Sequence, residues 1–275
     1  MLSIASNICA SVEVFYGVRN TSVCDMPITE AAQRIVDAGF GVEILVAQGW
    51  DDRRLPDEKL IDQMAAIAES AGLITTHASV NTWAPDIIRQ EIDITRRMGI
   101  GQMVIHPYIL GLGIDGHQPC PEDARNLCKY ALDSGVLLVL ENLGGLGLPV
   151  LRAAIDMVGH DPEKTGLGIC VDVGHANRSC TNDGIRPEVF LSELRDLIYE
   201  VHVDDNFGTR DLHLPPGHGS INWQPVVEEM VKLREDAVIC LEIAWPSDPL
   251  NALNESKYFL LDLEDDVKQE SRAKR

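Results

Sequence analysis

Short apolar runs alternate with longer amphipathic segments along almost the whole chain. Eight runs of nearly continuous apolar, often β-branched residues occupy positions 2–9, 41–46, 73–78, 102–107, 136–142, 167–173, 198–205 and 237–244. Such runs are typical of parallel strands, because a parallel sheet is covered on both of its faces. The segments between them have helical periodicity, and four of these segments end at a glycine: Gly39, Gly72, Gly99 and Gly135. The pattern therefore predicts eight strands that are each followed by a helix.

Eight consecutive strand–helix units without a linker predict an α/β fold, a single (β/α)8 TIM barrel that spans residues 1–265. An open, doubly wound sheet is the alternative, but no glycine-rich phosphate-binding loop follows the first strand. In a barrel of this kind the functional site lies at the C-terminal mouth of the strands. Residues 266–275 are charged and poor in apolar side chains, which predicts a frayed C-terminal tail.

Composition and charge disfavour some classes of function. The 275 residues are 45% apolar and carry a formal net charge of −20, so a large core can form and polyanions such as nucleic acid are repelled unless a local basic patch opposes this. No apolar run approaches the roughly 18 residues of a membrane span, and the first residues lack the pattern of a signal peptide. Seven cysteines without a CxxC pair are typical of reduced thiols. These features predict a cytoplasmic enzyme.

Ionisable side chains lie at the same end of six of the eight predicted strands. They are His77, His106, Glu141, Asp172, His202 and Glu242, with His175 shortly after the sixth strand and Asp211 and His213 in the loop after the seventh. Any one of them alone is more simply explained as a capped or paired residue. Four adjacent strands, however, each place one ionisable group in a buried run, and converging carboxylates repel one another unless a cation lies between them. We therefore predict that Glu141, Asp172, His202 and Glu242 bind a divalent metal ion.

The predicted ligand set contains three carboxylates and one imidazole. This donor set suits Mn²⁺, Mg²⁺, Co²⁺ or Fe²⁺ at least as well as Zn²⁺. Cys170 and Cys240 lie within two of the metal-bearing strands, but we expect them to be small buried apolar residues rather than ligands.

Four sequence motifs together resemble the xylose-isomerase-like TIM barrels. They are "ENLGG", "VDVGHA", "HVDDNFGTRDLHLPPGHGSINW" and "LEI", and the resemblance extends from about the first strand to the eighth. That superfamily contains sugar and sugar-phosphate isomerases and epimerases, inosose dehydratases, and the three-zinc endonucleases that cut DNA at abasic sites. The motifs are specific as a set, although each is weak alone.

The resemblance has different implications in two branches of the superfamily. In the ketose 3-epimerases the matching residues hold one metal ion, which implies Glu141, Asp172, His202 and Glu242 here, with the two glutamates as the acid/base pair. In the abasic-site endonucleases five further residues complete a three-metal cluster. The matching residues are His77, His106, His175, Asp211 and His213. All nine residues are present, so the ligand set does not separate the two branches. The first branch implies one metal ion here, and the second implies up to three.

The residues around the predicted ligands favour a small substrate. Few basic residues lie near the predicted mouth, namely Arg19, Arg53, Arg54, Arg178 and Arg210, whereas a nuclease must neutralise several phosphates. Aromatic residues follow most of the strands: Phe15, Tyr16, Trp50, Trp83, Tyr108, Phe207 and Trp245. We expect Tyr16, Trp83, Phe207 and Trp245 to wall a small-ligand pocket, while Trp50 and Tyr108 fit a position on the barrel rim equally well.

These features predict a divalent-metal-dependent isomerase or epimerase that acts on a ketose or related sugar through an enediolate, with Glu141 and Glu242 as acid and base. In a one-metal enzyme, His77, His106 and His175 would bind substrate hydroxyls, and Asp211 and His213 would support the site or hold additional metal ions. An enediolate lyase such as a keto-inositol dehydratase and a three-zinc abasic-site endonuclease remain alternatives. A non-catalytic sugar-binding barrel is disfavoured because no ligand has been lost. A homo-oligomer is common in this superfamily, but no surface feature of the sequence demonstrates one.

Overall fold

The strands form one closed parallel barrel. The computed structural model describes residues 2–16, 26–46, 55–79, 82–114, 118–244 and 246–273, without the side chains of residues 182 and 183. Its strands are β1 (Ile8–Ser11), β2 (Gly41–Leu45), β3 (Ile74–His77), β4 (Gln102–Ile105), β5 (Leu137–Glu141), β6 (Leu167–Asp172), β7 (Ile198–Val203) and β8 (Val238–Leu241). Each strand pairs in parallel with the next, and β8 closes the barrel on β1 through the pair Ile8 and Ile239. The predicted TIM barrel is therefore confirmed.

Helices cover the outside of the barrel between successive strands. They are α1 (Ile4–Asn7), α2 (Glu13–Tyr16), α3 (Ile28–Asp37), α4 (Glu58–Ala71), α5 (Pro85–Arg97), α6 (Pro121–Asp133), α7 (Leu148–Val158), α8 (Pro162–Thr165), α9 (Val173–Asp183), α10 (Pro187–Glu193), α11 (Trp223–Met230) and α12 (Pro249–Ala273). α4 illustrates the local signals: the Asp57 side chain caps its first turn by accepting from the Leu60 amide, and Gly72 ends it with a φ of 71°. No helix in the described part of the chain is long and apolar enough to cross a bilayer.

Two boundaries differ from the sequence prediction. The first apolar run, residues 2–9, was expected to be one strand, but Ile4–Asn7 forms a helical turn and the strand begins at Ile8. Leu2 and Ile4 are buried there, and the Ile4 amide donates to Glu264 Oε1 at 3.3 Å. The sequence also predicted a frayed tail from residue 266, whereas α12 continues to Ala273. Val267 packs into the core within this last stretch, which explains why the helix continues.

The apolar core lies mainly between the barrel and its helices, and the barrel interior is partly polar. Leu138 and Leu140 of β5 belong to the large outer core, whereas Val139 faces a small interior cluster with Val104 and Cys170. A second interior cluster contains Cys9, Val238 and Cys240. Cys170 and Cys240 are free thiols and fully buried, as expected for small apolar residues. Side chains at the carboxyl ends of the strands therefore project above a packed barrel interior.

Candidate metal centre

All nine predicted ligand residues gather at the C-terminal mouth of the barrel. His77, Glu141 and Asp172 are the last residues of β3, β5 and β6. His106 and Glu242 directly follow β4 and β8, and His202 lies near the end of β7. His175 lies in the first turn of α9, and Asp211 and His213 lie between β7 and α11. Eight of the nine are buried, and Asp211 keeps about a third of its side chain exposed. They form three groups that meet at Glu141 and around Glu242.

The central group contains the four residues of the predicted metal site. Glu141, Asp172, His202 and Glu242 each place a ligand atom within 4.8 Å of the others. His202 Nδ1 lies 3.2 Å from Glu242 Oε2 and 3.9 Å from Glu141 Oε1. Asp172 Oδ2, Glu242 Oε2 and His202 Nδ1 have no hydrogen-bond partner among the described residues, although all three atoms are buried. Three buried potential ligand atoms without hydrogen-bond partners face the same space, and such a set is suited to bind a divalent cation.

The electrostatics of the central group also favour a cation. Burial raises the pKa of Asp172 well above its ordinary value, and the neighbouring Glu141 and Glu242 raise it further, although His175 opposes them. Burial would raise the pKa of Glu141 as well, but contacts with His106, His175 and His77 hold it well below its ordinary value. Carboxylates that share one buried space stay ionised only if positive charge lies close to them. A divalent ion supplies such charge directly.

The second group contains two imidazoles that face one oxygen. His77 Nε2 lies 3.1 Å and His106 Nε2 lies 3.0 Å from Glu141 Oε2. His77 Nδ1 is 2.9 Å from the Ala78 carbonyl oxygen, which can only accept a hydrogen bond. The neutral ring of His77 therefore carries its proton on Nδ1, and its Nε2 lone pair faces the Glu141 carboxylate. That contact is favourable only if a proton or a metal cation lies between the two atoms.

The third group repeats this arrangement, with two imidazoles that face one carboxylate oxygen. His175, Asp211 and His213 offer ligand atoms within 4.8 Å of one another. His175 Nδ1 lies 2.9 Å from the Asn142 carbonyl oxygen and His213 Nδ1 lies 2.9 Å from the Glu242 carbonyl oxygen. Their Nε2 atoms face Asp211 Oδ2 at 3.1 and 3.7 Å. Both imidazoles are thus held by the backbone with Nε2 available to a cation.

Backbone strain occurs at this group. Among the described residues, His213 is the non-glycine residue with a positive φ, at 45°. The left-handed region disfavours a residue with a Cβ atom, so the surrounding loop must hold His213 in place. Strain of this kind is common where a side chain is positioned for function.

Asn142 and Asp205 hold the ligand-bearing segments. The Asn142 side chain donates to the Asp172 carbonyl oxygen at 2.9 Å and accepts from the Asp172 amide at 3.0 Å. It therefore fixes the end of β6 beside the end of β5, and this explains an Asn directly after Glu141. The Asp205 carboxylate accepts from the Trp223 indole at 2.9 Å and from the Gly217 amide at 3.0 Å, which ties down the loop that carries Asp211 and His213.

Sequence reasoning missed two buried glutamates beside the centre. Glu13 in α2 forms a further group with His213 and Glu242, and Glu43 in the middle of β2 forms one with Glu200, His202 and Cys240. Both glutamates are almost completely buried. Glu43 lies inside the apolar run of β2, and Glu13 lies two residues after the end of β1 and beyond the predicted run 2–9. A search of the predicted strand ends therefore overlooks both. For Glu43, a lone acidic residue inside a continuous apolar run was the available signal.

The predicted pocket-wall residues differ in their surroundings. Tyr16 is buried, and its hydroxyl donates to the Met26 carbonyl oxygen at 2.6 Å, whereas Trp83 is half-buried. Phe207 is 58% exposed at the mouth. Trp245, Trp50 and the arginines at 19, 53 and 54 lie outside the described residues.

The described arginines near the mouth offer little free positive charge. Arg178 Nη1 lies 3.2 Å from Asp211 Oδ2, so its charge is matched by a candidate ligand. Arg210 is exposed next to that ligand in the loop after β7. With the net charge of −20, this part of the mouth lacks the basic surface that binds a nucleic-acid backbone.

Comparison with known proteins extends these observations. A family model for xylose isomerase-like TIM barrels matches residues 32–263. An uncharacterized protein of Methanocaldococcus jannaschii is 33% identical over 123 residues, which cover 42% of this chain and 40% of that protein. A probable endonuclease 4 of Staphylococcus epidermidis is 30% identical over 167 residues, which cover 54% of each protein. The matched part of the chain thus spans about half the length of these relatives or less.

Solved structures share the whole fold. The crystal structure of a D-tagatose 3-epimerase-like protein superposes with a TM-score of 0.73 at 21% identity and covers 96% of this chain and 99% of that chain. An IolI protein crystallised with a bound zinc atom has a TM-score of 0.67 at 15% identity, with 95% and 99% of the two chains covered. At such identities the likeness shows the fold alone.

Proposed function

Because the chain belongs to the xylose isomerase-like TIM barrel family, we propose that it is a divalent-metal-dependent isomerase or epimerase of a ketose or related sugar. One observation carries this proposal. Glu141 and Glu242 come from strands at the two ends of a four-strand arc, and their carboxylates meet around Asp172 and His202. Proton transfer to and from a sugar carbon beside a cation would use two such carboxylates, and their convergence supports the proposal.

Glu141, Asp172, His202 and Glu242 would hold the cation. When bound, it stabilises the negative charge that develops on the substrate's oxygens as a carbon-bound proton leaves. The orphaned atoms of the central group and its mixture of carboxylates with one imidazole support Mn²⁺, Mg²⁺, Co²⁺ or Zn²⁺ as the ion.

Glu242 is the better placed of the two glutamates to accept the first proton. Its Oε2 has no hydrogen-bond partner among the described residues, and at 6% exposure it is the most accessible member of the central group. Burial would raise the pKa of Glu242, but His202 and His213 lower it to about 2, so the group is a carboxylate at neutral pH. Removal of a proton from the carbon next to the carbonyl by the Glu242 carboxylate would produce the enediolate.

Glu141 would return a proton to the substrate. Its Oε2 lies 3.1 Å from His77 Nε2 and 3.0 Å from His106 Nε2. Burial would lower the pKa of His77, but Glu141 and Glu43 raise it to about 9, so the protonated His77 imidazole would be the proton source for that oxygen. Return to the same carbon from the opposite face inverts it and makes the enzyme an epimerase. Return to the neighbouring carbon makes it an aldose–ketose isomerase. Loss of a neighbouring hydroxyl instead would be lyase chemistry on the same enediolate.

Deuterium exchange tests this function. The Mn²⁺-loaded protein is incubated in D₂O with a panel of ketoses, and deuterium at the carbon next to the carbonyl is measured by mass spectrometry. Glu242→Gln should lose exchange about 10²–10⁴-fold, because the general base is removed. Glu255→Gln is the control, since Glu255 is an exposed residue of α12. Metal content is measured in each variant, so that loss of the ion is distinguished from loss of the base. Absence of exchange with every ketose in the loaded protein would contradict the proposal.

Phosphodiester cleavage is the second candidate function. It is favoured by the other two groups, His77–His106–Glu141 and His175–Asp211–His213, which are each complete enough to hold a further ion. Clusters of two or three metal ions are typical of phosphodiester hydrolysis, and a curated relative is named a probable endonuclease 4. The low positive charge of the described mouth weighs against a DNA substrate.

Metal counting and a cleavage assay separate the two functions. The number of zinc ions bound per chain is measured by elemental analysis, and an oligonucleotide with one abasic site is tested for incision beside an intact oligonucleotide. Three ions with incision and no ketose exchange would establish the second function. One ion with exchange and no incision would establish the first.

A further inference from the structure

His202 is oriented differently from three other histidines of the candidate centre. His77 and His213 turn Nδ1 to a backbone carbonyl and Nε2 to the ligand groups. His175 also turns Nδ1 to a backbone carbonyl, although this nitrogen lies 2.9 Å from Glu141 Oε1 and 3.0 Å from Asp172 Oδ2 as well. Among the described residues, His202 Nδ1 has no backbone carbonyl as a hydrogen-bond partner, and it faces the central carboxylates, 3.2 Å from Glu242 Oε2. A metal ligand needs a neutral ring with its lone pair towards the ion, so the proton of His202 must lie on Nε2. Some acceptor in the barrel interior has to receive that proton.

Glu43 is the nearest acceptor. Its Oε2 lies 3.2 Å from His202 Nε2, and both side chains are almost fully buried. Among the described residues, neither oxygen of Glu43 and neither ring nitrogen of His202 has an aligned hydrogen bond elsewhere. A hydrogen bond from His202 Nε2 to Glu43 Oε2 would satisfy one buried atom on each side. Glu43 reaches this position across the barrel, because β2 and β7 are not neighbours.

The other interior groups are less suited to this role. Glu200 Oε1 lies 3.7 Å from His202 Nε2, beyond hydrogen-bond range. Its carboxylate already accepts from the Thr75 hydroxyl at 3.0 Å and from the Gln102 amide at 2.7 Å. Burial raises the pKa of Cys240 well above its ordinary value, so this thiol stays protonated and is a poor ligand or acceptor. Glu43 is therefore better explained as the support of His202 than as part of a separate cation site with Glu200 and Cys240.

We propose that Glu43 is a positioning residue that accepts the Nε2 proton of His202 and so presents Nδ1 of this ring to the metal ion. This inference rests on the metal binding of the proposed function. Acceptors behind a ligating histidine fix its tautomer and ring orientation and raise its basicity. Glu43 performs for His202 the task that backbone carbonyls perform for His77, His175 and His213.

Zinc affinity tests the proposal without any substrate. Zinc binding to the full chain is measured by competition with a chromophoric chelator for the wild type, Glu43→Leu, Glu43→Gln and Glu200→Gln. Glu43→Leu should weaken the tightest site about 10–100-fold, since no acceptor remains. Glu43→Gln should lose less, because its amide oxygen still accepts from Nε2. Glu200→Gln is the matched control: it changes an equally buried carboxylate of the same layer and should leave the affinity near that of the wild type.

A spectroscopic measurement reports the tautomer directly. Long-range ¹H–¹⁵N spectra of zinc-loaded protein labelled at histidine should show one ligand bound through Nδ1 with its proton on Nε2, and this signal should shift or broaden in Glu43→Gln. Thermal unfolding of each variant shows whether the fold is retained. If Glu43→Leu does not fold, Glu43→Gln and the spectrum still test the proposal.

The outcomes separate the two proposals. A wild-type chain that binds no zinc would overturn the metal-dependent function and this inference with it. A wild type that binds zinc, with unchanged affinity in both Glu43 variants or with the loss in Glu200→Gln instead, would overturn only the role of Glu43. Coordination of the metal ion by His202 Nε2 would also overturn only the role of Glu43. So would an ion found between Glu43 and Glu200 in an anomalous-scattering map.

Discussion

Burial distinguishes the histidines of the candidate centre from the other histidines that the structure describes. His77, His106, His175, His202 and His213 are buried at the mouth. His160, just after the end of α7, is exposed, and its Nε2 lies 3.4 Å from Asp156 Oδ1. His218 is also exposed. Burying an imidazole without partners is costly, so each buried ring must be held by a hydrogen bond and directed at a carboxylate or a cation.

Phe207 combines high exposure with a rigid backbone. The Asn206 side chain accepts from the Gly208 amide at 2.8 Å and donates to the Gly174 carbonyl oxygen at 2.9 Å. The Thr181 hydroxyl donates to the Gly208 carbonyl oxygen at 2.7 Å. An aromatic ring that is held at the mouth but not packed there is suited to contact a substrate.

Phe207→Ala should raise KM roughly 10-fold and leave kcat almost unchanged, because an apolar contact worth about 1–1.5 kcal/mol is lost outside the proton-transfer groups. Steady-state kinetics with the ketose identified by deuterium exchange measure this. Tyr258→Ala is the control, since Tyr258 is 63% exposed on α12. Equal KM values in the two variants would show that Phe207 does not contact the substrate. Neither variant should lower the unfolding temperature appreciably.

The segment between β7 and α11 is folded around a single carboxylate. Asp205 accepts hydrogen bonds from the amides of Asn206, Gly217 and Ile221 and from the Trp223 indole. Its backbone also pairs with Leu214 in both directions, at 2.8 and 2.9 Å. These bonds hold a loop without regular structure, and they bring Asp211 and His213 back over the barrel mouth.

Asp205→Asn should destabilise this segment and the third ligand group with it. The Asn side chain retains one acceptor oxygen, so about half of the charge-assisted hydrogen bonds are lost, which costs roughly 2–4 kcal/mol. Chemical denaturation measures the loss of stability, and metal titration measures the weakened group. Asp248→Asn is the control: Asp248 accepts from the Asn251 amide at the start of α12, and Asn replaces Asp well at that position. Equal stability of the two variants would contradict the organising role of Asp205.

At the scale of the whole molecule, buried carboxylates concentrate along the barrel axis. The net charge is −20, and buried carboxylates from β2, β5, β6, β7 and the ends of β1 and β8 lie in the interior or at the mouth. Imidazoles balance part of this charge when they are protonated, and a divalent ion would balance it more completely. Stability of the fold should therefore depend on both pH and metal.

In the presence of a chelator, stability should fall as the pH rises from about 6.5 to about 9. Burial would lower the pKa of His77, but Glu141 and Glu43 raise it to about 9, so its stabilising contribution is complete below 6.5 and lost through 9. Burial raises the pKa of Glu13 to about 8, so the folded protein also binds this extra proton between about 4.5 and 8. Each such proton contributes a slope of up to about 1.4 kcal/mol per pH unit.

Saturating zinc should reverse this dependence, because binding requires deprotonated ligands and becomes tighter as the pH rises. Excess zinc at about 100 times its dissociation constant should add roughly 2.7 kcal/mol of stability. Denaturant unfolding at three pH values, with chelator and with zinc, measures both effects. The same slope under the two conditions would show that the ion does not bind at the titrating groups.

The sequence alone determined the barrel and the identity of nine mouth residues. Periodicity is a local property, so eight apolar runs separated by helical segments were sufficient to predict β1 to β8 and to place His77, Glu141 and Asp172 at strand ends. The helical turn at Ile4–Asn7 and the continuation of α12 to Ala273 were not predicted, because each depends on packing against distant parts of the chain.

The tertiary structure alone decided how these residues combine. Closure of the barrel brings Glu43 of β2 to His202 of β7, places two imidazoles on one oxygen of Glu141, and selects which ring nitrogen of each histidine faces the carboxylates. Such contacts join residues from 35 to 159 positions apart, and they depend on strand register and side-chain orientation within a closed sheet. No local sequence pattern encodes that geometry. Periodicity specifies the face of the strand on which a side chain lies, but not which atom across the barrel it contacts.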